Sequence, residues 1–127
     1  MKLNKKEIEN VSALAGAKRY DYFIKRVSDT EELWGLYNNG WALVSDRFKK
    51  YIPLWSHSDF AKINQIGDWS GYSPKVIELA SFFDEFLMEI QRDNISVCVF
   101  LTPADYGVCP SNAQLKQDLL NEIKLYE

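Results

Sequence analysis

One histidine and two cysteines in 127 residues exclude a good deal of chemistry. A mechanism with histidine as acid or base has only His57 to draw on. Cys98 and Cys109 are too few, and wrongly spaced, for a zinc site or a disulfide framework. No Asp-x-Asp-x-Asp-Gly loop gathers carboxylates around a cation, so neither metal nor cofactor is expected. A glycine-rich phosphate loop is missing too. So is a Gly-x-Ser-x-Gly elbow. No apolar run approaches the roughly 18 residues of a membrane span. Nor does an apolar stretch follow Lys2, Lys5 and Lys6, so no secretory signal is read and a cytoplasmic location is the expectation.

What the chain has in quantity is aromatic surface, concentrated in the middle. Trp34, Trp41, Trp55 and Trp69 share one stretch with Tyr37, Tyr51, Phe60 and Tyr72. Aromatic rings bury more apolar area than other side chains, and Trp and Tyr retain a polar tip that wants a partner. At 127 residues and 14.8 kDa, with 46% hydrophobic and 26% charged residues, the chain suits one globular domain over its whole length, 1–127.

The net charge of −3 conceals two unlike halves. Lys and Arg prevail in residues 1–55, and Asp and Glu prevail in residues 56–127. An acidic chain is a poor match for a phosphate backbone, so nucleic acid is not an expected partner. Lys18, Arg19, Lys25 and Arg26 cluster on one expected helix and read as a solvated face.

Along the chain, Asn4 with Glu7 marks a helix start. Gly16 marks a break, and a second helix over about Ala17 to Val27 aligns Tyr20, Phe23, Ile24 and Val27. Trp34 and Leu36, then Trp41 and Leu43, alternate with their neighbours on either side of Asn38-Asn39-Gly40. That pattern predicts a hairpin with its tryptophans inward. Tyr51 to Trp55 reads as a third strand, with Pro53 at an edge or strand end because it has no N–H to donate. Ser58 is placed as the cap of a short helix. Asp68 to Pro74 is read as loop.

Leu79 to Arg92 carries a broad phenylalanine stripe and predicts a strong helix. Its opposite face bears Asp84, Glu85, Glu89 and Asp93, expected in solvent. Ile95 to Leu101 predicts a central strand covered on both faces. Val108-Cys109 predicts a short return strand that could bring Cys109 towards Cys98. Ser111 with Gln114 opens a final helix. The fold class is α+β, with a mixed or antiparallel sheet of about four to five strands covered by helices.

Two readings compete for the aromatics. Core packing is favoured for Trp34, Trp41 and Trp55. Trp69 and Tyr72 flank a glycine-containing loop, where large rings either plug a sheet edge or face a partner. The binding candidates are Trp55, His57, Trp69 and Tyr72, with no residue assigned to catalysis. His57 sits beside Ser56, Ser58 and Asp59, but sequence neighbours seldom form a triad, and ordering its own turn is the favoured role.

Several motifs occur together and in order. They are Lys18 to Val27, Glu32-Leu33-Trp34, Gly40-Trp41-Ala42-Leu43, Pro53-Leu54-Trp55-Ser56-His57, Trp69-Ser70-Gly71-Tyr72-Ser73-Pro74, the helix around Phe82 and Phe86, and Val99-Phe100-Leu101-Thr102-Pro103. Over nearly the whole chain this resembles the bacterial domain-of-unknown-function family 2750. It is similar, more distantly, to the N-terminal domain of the secretion-associated protein SseB. The sequence departs from the family at Ser56, where proline is frequent, and in the basic Arg47, Lys49 and Lys50. The resemblance implies a small α+β module in a bacterial cytoplasm and no particular activity.

The function expected is therefore a non-enzymatic protein-binding or adaptor module, whose partner is another protein or a second copy. An immunity-like protein that caps a toxin is one version. The alternative is a small-molecule-binding regulator or a hydrolase, with a pocket walled by Trp55, Trp69 and Tyr72 and His57 at its rim.

Overall fold

The structure is a computed structural model and describes residues 3–126. Helix α1 spans Lys5–Ser12, and the Asn4 side chain accepts the Glu7 N–H at 2.8 Å as expected of a cap. Helix α2, Gly16–Thr30, begins at the glycine expected to mark the break and buries Phe23, Ile24 and Val27. Arg19 is also buried on this helix. That overturns the solvated face expected for the basic cluster, although Lys18 and Lys25 are exposed.

Strand β1, Glu32–Tyr37, does not form the expected hairpin ladder. The Asn-Gly segment does turn the chain, with Asn39 at φ 55° and the Asn38 N–H donated to the Gly40 carbonyl. Pairing then stops at a Tyr37–Trp41 bridge and the bond from Ala42 N–H to the Leu36 carbonyl. The ladder partner of β1 is β4, Ser73–Glu78, which pairs antiparallel along its full length. That strand occupies part of what was expected to be loop.

The inward faces differ from expectation for the same reason. Leu33 and Leu36 are fully buried while Trp34 is half-buried, and Ala42 is buried while Leu43 is 41% exposed. Trp41 folds back over Gly35, where an added Cβ would meet its ring at 2.8 Å. The ring also packs edge-on against Tyr37 and Phe86.

The second sheet has the order β2-β3-β5, formed by Val44–Ser45, Lys50–Leu54 and Ile95–Val99. Strand β3 runs antiparallel to β2 and parallel to β5. Backbone groups alternate sides along a strand, so Tyr51, Pro53 and Trp55 all face away from β5. Tyr51 pairs with Val44 of β2, and Trp55 exchanges bonds with Trp34 of β1. Pro53 lies in the gap between those partners, one residue from the strand end, where no donor is required. The Trp34–Trp55 bridge joins the two sheets.

Strand β5 ends the sheet instead of occupying its centre, yet Ser96 through Val99 are buried. Its outer edge meets the returning chain at a Val99–Val108 bridge. Helix α3, Ser58–Lys62, starts at His57 with no side-chain cap, so Ser58 does not take the role expected of it. A 3₁₀ turn follows over Gly67–Trp69.

The phenylalanine-rich segment is helical throughout: α4 is Leu79–Ser81, a π-helical turn covers Phe82–Phe86, and α5 is Leu87–Arg92. Asp84, Glu85, Glu89 and Asp93 are exposed there. Helix α6, Asn112–Lys124, is capped by Ser111, whose hydroxyl accepts the Gln114 N–H at 3.0 Å. Among the described residues no helix is long and apolar enough to cross a membrane.

Candidate functional site: a groove behind the 101–106 turn

Three chain segments meet at the surface around a groove of about 470 Å³. The first is Leu43-Val44, the entry to β2. The second runs from Asn64 to Trp69 after α3, and the third from Leu101 to Tyr106 after β5.

Local chemistry shapes the third segment. Thr102 and Asp105 exchange backbone hydrogen bonds of 2.8 and 3.2 Å across Pro103-Ala104. Proline's fixed φ suits the second position of such a turn. The Thr102 hydroxyl accepts the N–H groups of Ala104 and Asp105, which closes the turn from inside.

Arg19 ties that turn to helix α2. Its Nε donates to the Phe100 carbonyl at 3.1 Å, one terminal nitrogen bonds the Leu14 carbonyl, and the other meets Asp105 Oδ2 at 2.8 Å. The Arg19 side chain is 3% exposed and that of Asp105 is 55% exposed. The hydrogen bond from Arg19 is the main reason the Asp105 carboxyl lies below its usual range. Trp55 supports the segment from beneath, donating its indole N–H to the Leu101 carbonyl at 2.8 Å.

In the second segment Asn64 is buried and bonds the Phe60 carbonyl at 2.9 Å. The Ile66 carbonyl then accepts the Trp69 N–H at the start of the 3₁₀ turn. Trp69 presses part of its ring on the core while lining the groove. Ile66 is 58% exposed, and with Leu43 and the 75%-exposed Tyr106 it gathers three large uncovered apolar side chains at one place. Asp68 and Asp105 also line the groove, and among the described residues no Lys or Arg does.

A second cavity of about 370 Å³ adjoins the groove, sharing Val44 and Tyr106 with it. Tyr51, Cys98, Cys109 and Asp46 complete most of its wall. The backbone N–H groups of Phe48 and Lys49 hold the Asp46 carboxyl below its usual range.

The four residues singled out from the sequence are distributed unevenly about this site. Trp69 lines the groove, and Trp55 is fully buried beneath it. Tyr72 is half-buried against the core, its carbonyl accepting from Gln65 at 2.6 Å, and it lies outside the groove wall. His57 is 8% exposed, edge-on to Phe60, with Nδ1 3.3 Å from the Ser56 hydroxyl. Burial, and next the charge of Arg26, lower its pKa. Among the described residues it has no hydrogen bond to a carboxylate, and it lines none of these cavities.

Sequence reasoning missed Leu43, Ile66 and Tyr106. Strand alternation points Leu43 inward, and Tyr106 lies between Leu101 and Val108, outside the strands expected on either side. The available signal was an aromatic within a proline-glycine turn, where no core face exists to receive it.

Among the described residues no group of three His, Cys, Asp or Glu is placed to hold a metal ion. A family model described as Protein of unknown function (DUF2750) matches residues 20–119. No curated protein and no solved structure matches the chain.

Proposed function

The chain belongs to the DUF2750 family, and from that footing we propose that it is a non-enzymatic protein-binding module whose contact surface is the groove. One observation carries the reading. Leu43, Ile66 and Tyr106, three large and exposed apolar residues from distant parts of the chain, converge beside Trp69. Scattered exposed apolar residues are ordinary, but a contiguous group is the usual mark of an interaction site. The Asp68 carboxylate, with the solvent-facing part of the Asp105 carboxylate that Arg19 pairs from beneath, adds a polar rim, the usual anatomy of a specific interface. A partner would bring apolar side chains with lysine or arginine beside them, and the charge complement would speed its capture. An immunity-like role in a bacterial cytoplasm is one form such a module can take.

Capture from the native host tests the proposal, with wild type as one bait and Ile66→Asp/Trp69→Ala as the other. A protein retained by the wild type and lost with the double variant supports it. Identical retention by both baits counts against the groove.

The volume favours a second reading, a small-molecule regulator using the same groove, since about 470 Å³ lies within the range of ligand sites. Its support is weaker, because much of the groove wall is open to solvent. The hydrolase version has less again, with His57 buried away from the groove. Thermal-shift screening of metabolites against wild type and Trp69→Ala separates the small-molecule reading from the protein-binding one.

A further inference from the structure

Cys98 and Cys109 face each other across a single antiparallel bridge. Val99 and Val108 exchange both backbone hydrogen bonds, at 2.7 and 3.1 Å. The neighbouring pair in that register, Cys98 and Cys109, is then directly opposed in a non-hydrogen-bonded position. Such pairs bring Cα atoms to about 4.5 Å. Disulfides span Cα separations of about 4.4–6.8 Å. Both thiols line the same cavity of about 370 Å³. Both are free, Cys98 buried and Cys109 exposed.

We propose that Cys98 and Cys109 form a redox-active dithiol that closes to an intramolecular disulfide by exchange with a small-molecule disulfide, Cys109 reacting first and Cys98 resolving. This site is independent of the groove reading. Accessibility sets the order. Cys109 stands in solvent, whereas Cys98 is 1% exposed and donates its S–H to the Tyr106 carbonyl at 2.8 Å. Burial pushes the Cys98 thiol up, and the facing Cys109 sulfur adds to the shift, so Cys98 is held protonated and is the poorer first nucleophile.

In the first step the Cys109 thiolate attacks one sulfur of R–S–S–R. A Cys109–S–S–R bond forms, the original S–S bond breaks, and one RS⁻ leaves. Cys98 then gives up its proton and attacks Cys109 Sγ, forming Cys98–S–S–Cys109 and expelling the second RS⁻. The two thiol protons end on the two released thiolates. Two protein thiols are oxidised and one small disulfide is reduced. Closure also withdraws the S–H donor from the Tyr106 carbonyl.

The test is to incubate the reduced full chain with oxidised glutathione, quench it with acid, and measure intact mass and maleimide uptake. Wild type is expected to lose about 2 Da and to take up no maleimide, as a closed dithiol must. Cys98→Ala should stop as a glutathione adduct on Cys109. Cys109→Ala should remain reduced over the same interval, at least about tenfold slower to react, as a buried protonated thiol would be. Wild type that collects separate glutathione adducts on both sulfurs, or a disulfide-linked dimer, overturns the proposal. So does Cys109→Ala reacting at the wild-type rate. The wild-type arm stands even if a cysteine variant folds poorly.

Discussion

Arg19 Nε donates to the Phe100 carbonyl at 3.1 Å, joining residues 81 positions apart in sequence inside the core. Phe100 is fully buried and holds a left-handed φ of 59°, a conformation a bulky aromatic seldom adopts. The arginine fastens that residue, the end of α1 and the turn behind the groove at once.

Removing the guanidinium leaves the Phe100 and Leu14 carbonyls without their donor. A buried acceptor left unpaired costs about 1–3 kcal/mol, so Arg19→Ala should lower unfolding free energy by about 3 kcal/mol in urea titration. Arg19→Lys should recover only part, because an ammonium cannot span all three acceptors. Asp105→Asn keeps an acceptor for Arg19 but leaves that buried charge uncompensated, so it too should lower stability. Wild-type stability in Arg19→Ala would contradict the clamp.

Gly107 has φ +81°, and an added Cβ would lie 2.3 Å from the Val99 carbonyl oxygen. Gly107→Ala must therefore open the Val99–Val108 bridge, and backbone strain of that kind costs about 1–3 kcal/mol. Gly71→Ala is the control, because its nearest neighbour is an amide nitrogen of Asn38 at 3.9 Å. The thermal midpoint should fall for the first variant and stay for the second.

His57 is the only histidine, which makes the pH range 5.5–7 a clean assay of its burial. Its folded pKa is below the ordinary 6.5, chiefly through desolvation. Between the folded and unfolded values the unfolded chain binds more protons, so stability declines as pH falls from about 7. Urea midpoints should be higher at pH 7 than at pH 5.5, and His57→Gln should flatten that difference. An equal slope in the variant would place the titration elsewhere.

Much of the helical architecture was legible because its signals are local. Asn4 and Ser111 each cap the helix that follows them, and the phenylalanines of residues 82–86 declare their own buried stripe. Sheet pairing was less legible, since it is decided by partners far along the chain. Asn-Gly makes its turn, but β1 takes β4 in preference to the nearer segment, and only Ile77 of β4 is well buried. With so little apolar periodicity, β4 had no pattern to read. The groove was the least legible feature. Trp69 was visible as a loop aromatic, but Leu43, Ile66 and Tyr106 meet only through the fold, and Arg19 looked like any surface arginine until Phe100 and Asp105 were placed around it.

The most direct measurement of the groove as a protein-binding surface is selection of displayed random peptides on immobilised wild-type protein, each hit then titrated against wild type and Ile66→Asp. Enriched peptides should pair apolar residues with lysine or arginine. Their affinity should fall at least about tenfold with Ile66→Asp, as at an interface hot spot, and should weaken as salt screens the acidic rim. Enriched peptides that bind Ile66→Asp as tightly as wild type, with no preference for basic residues, would contradict it.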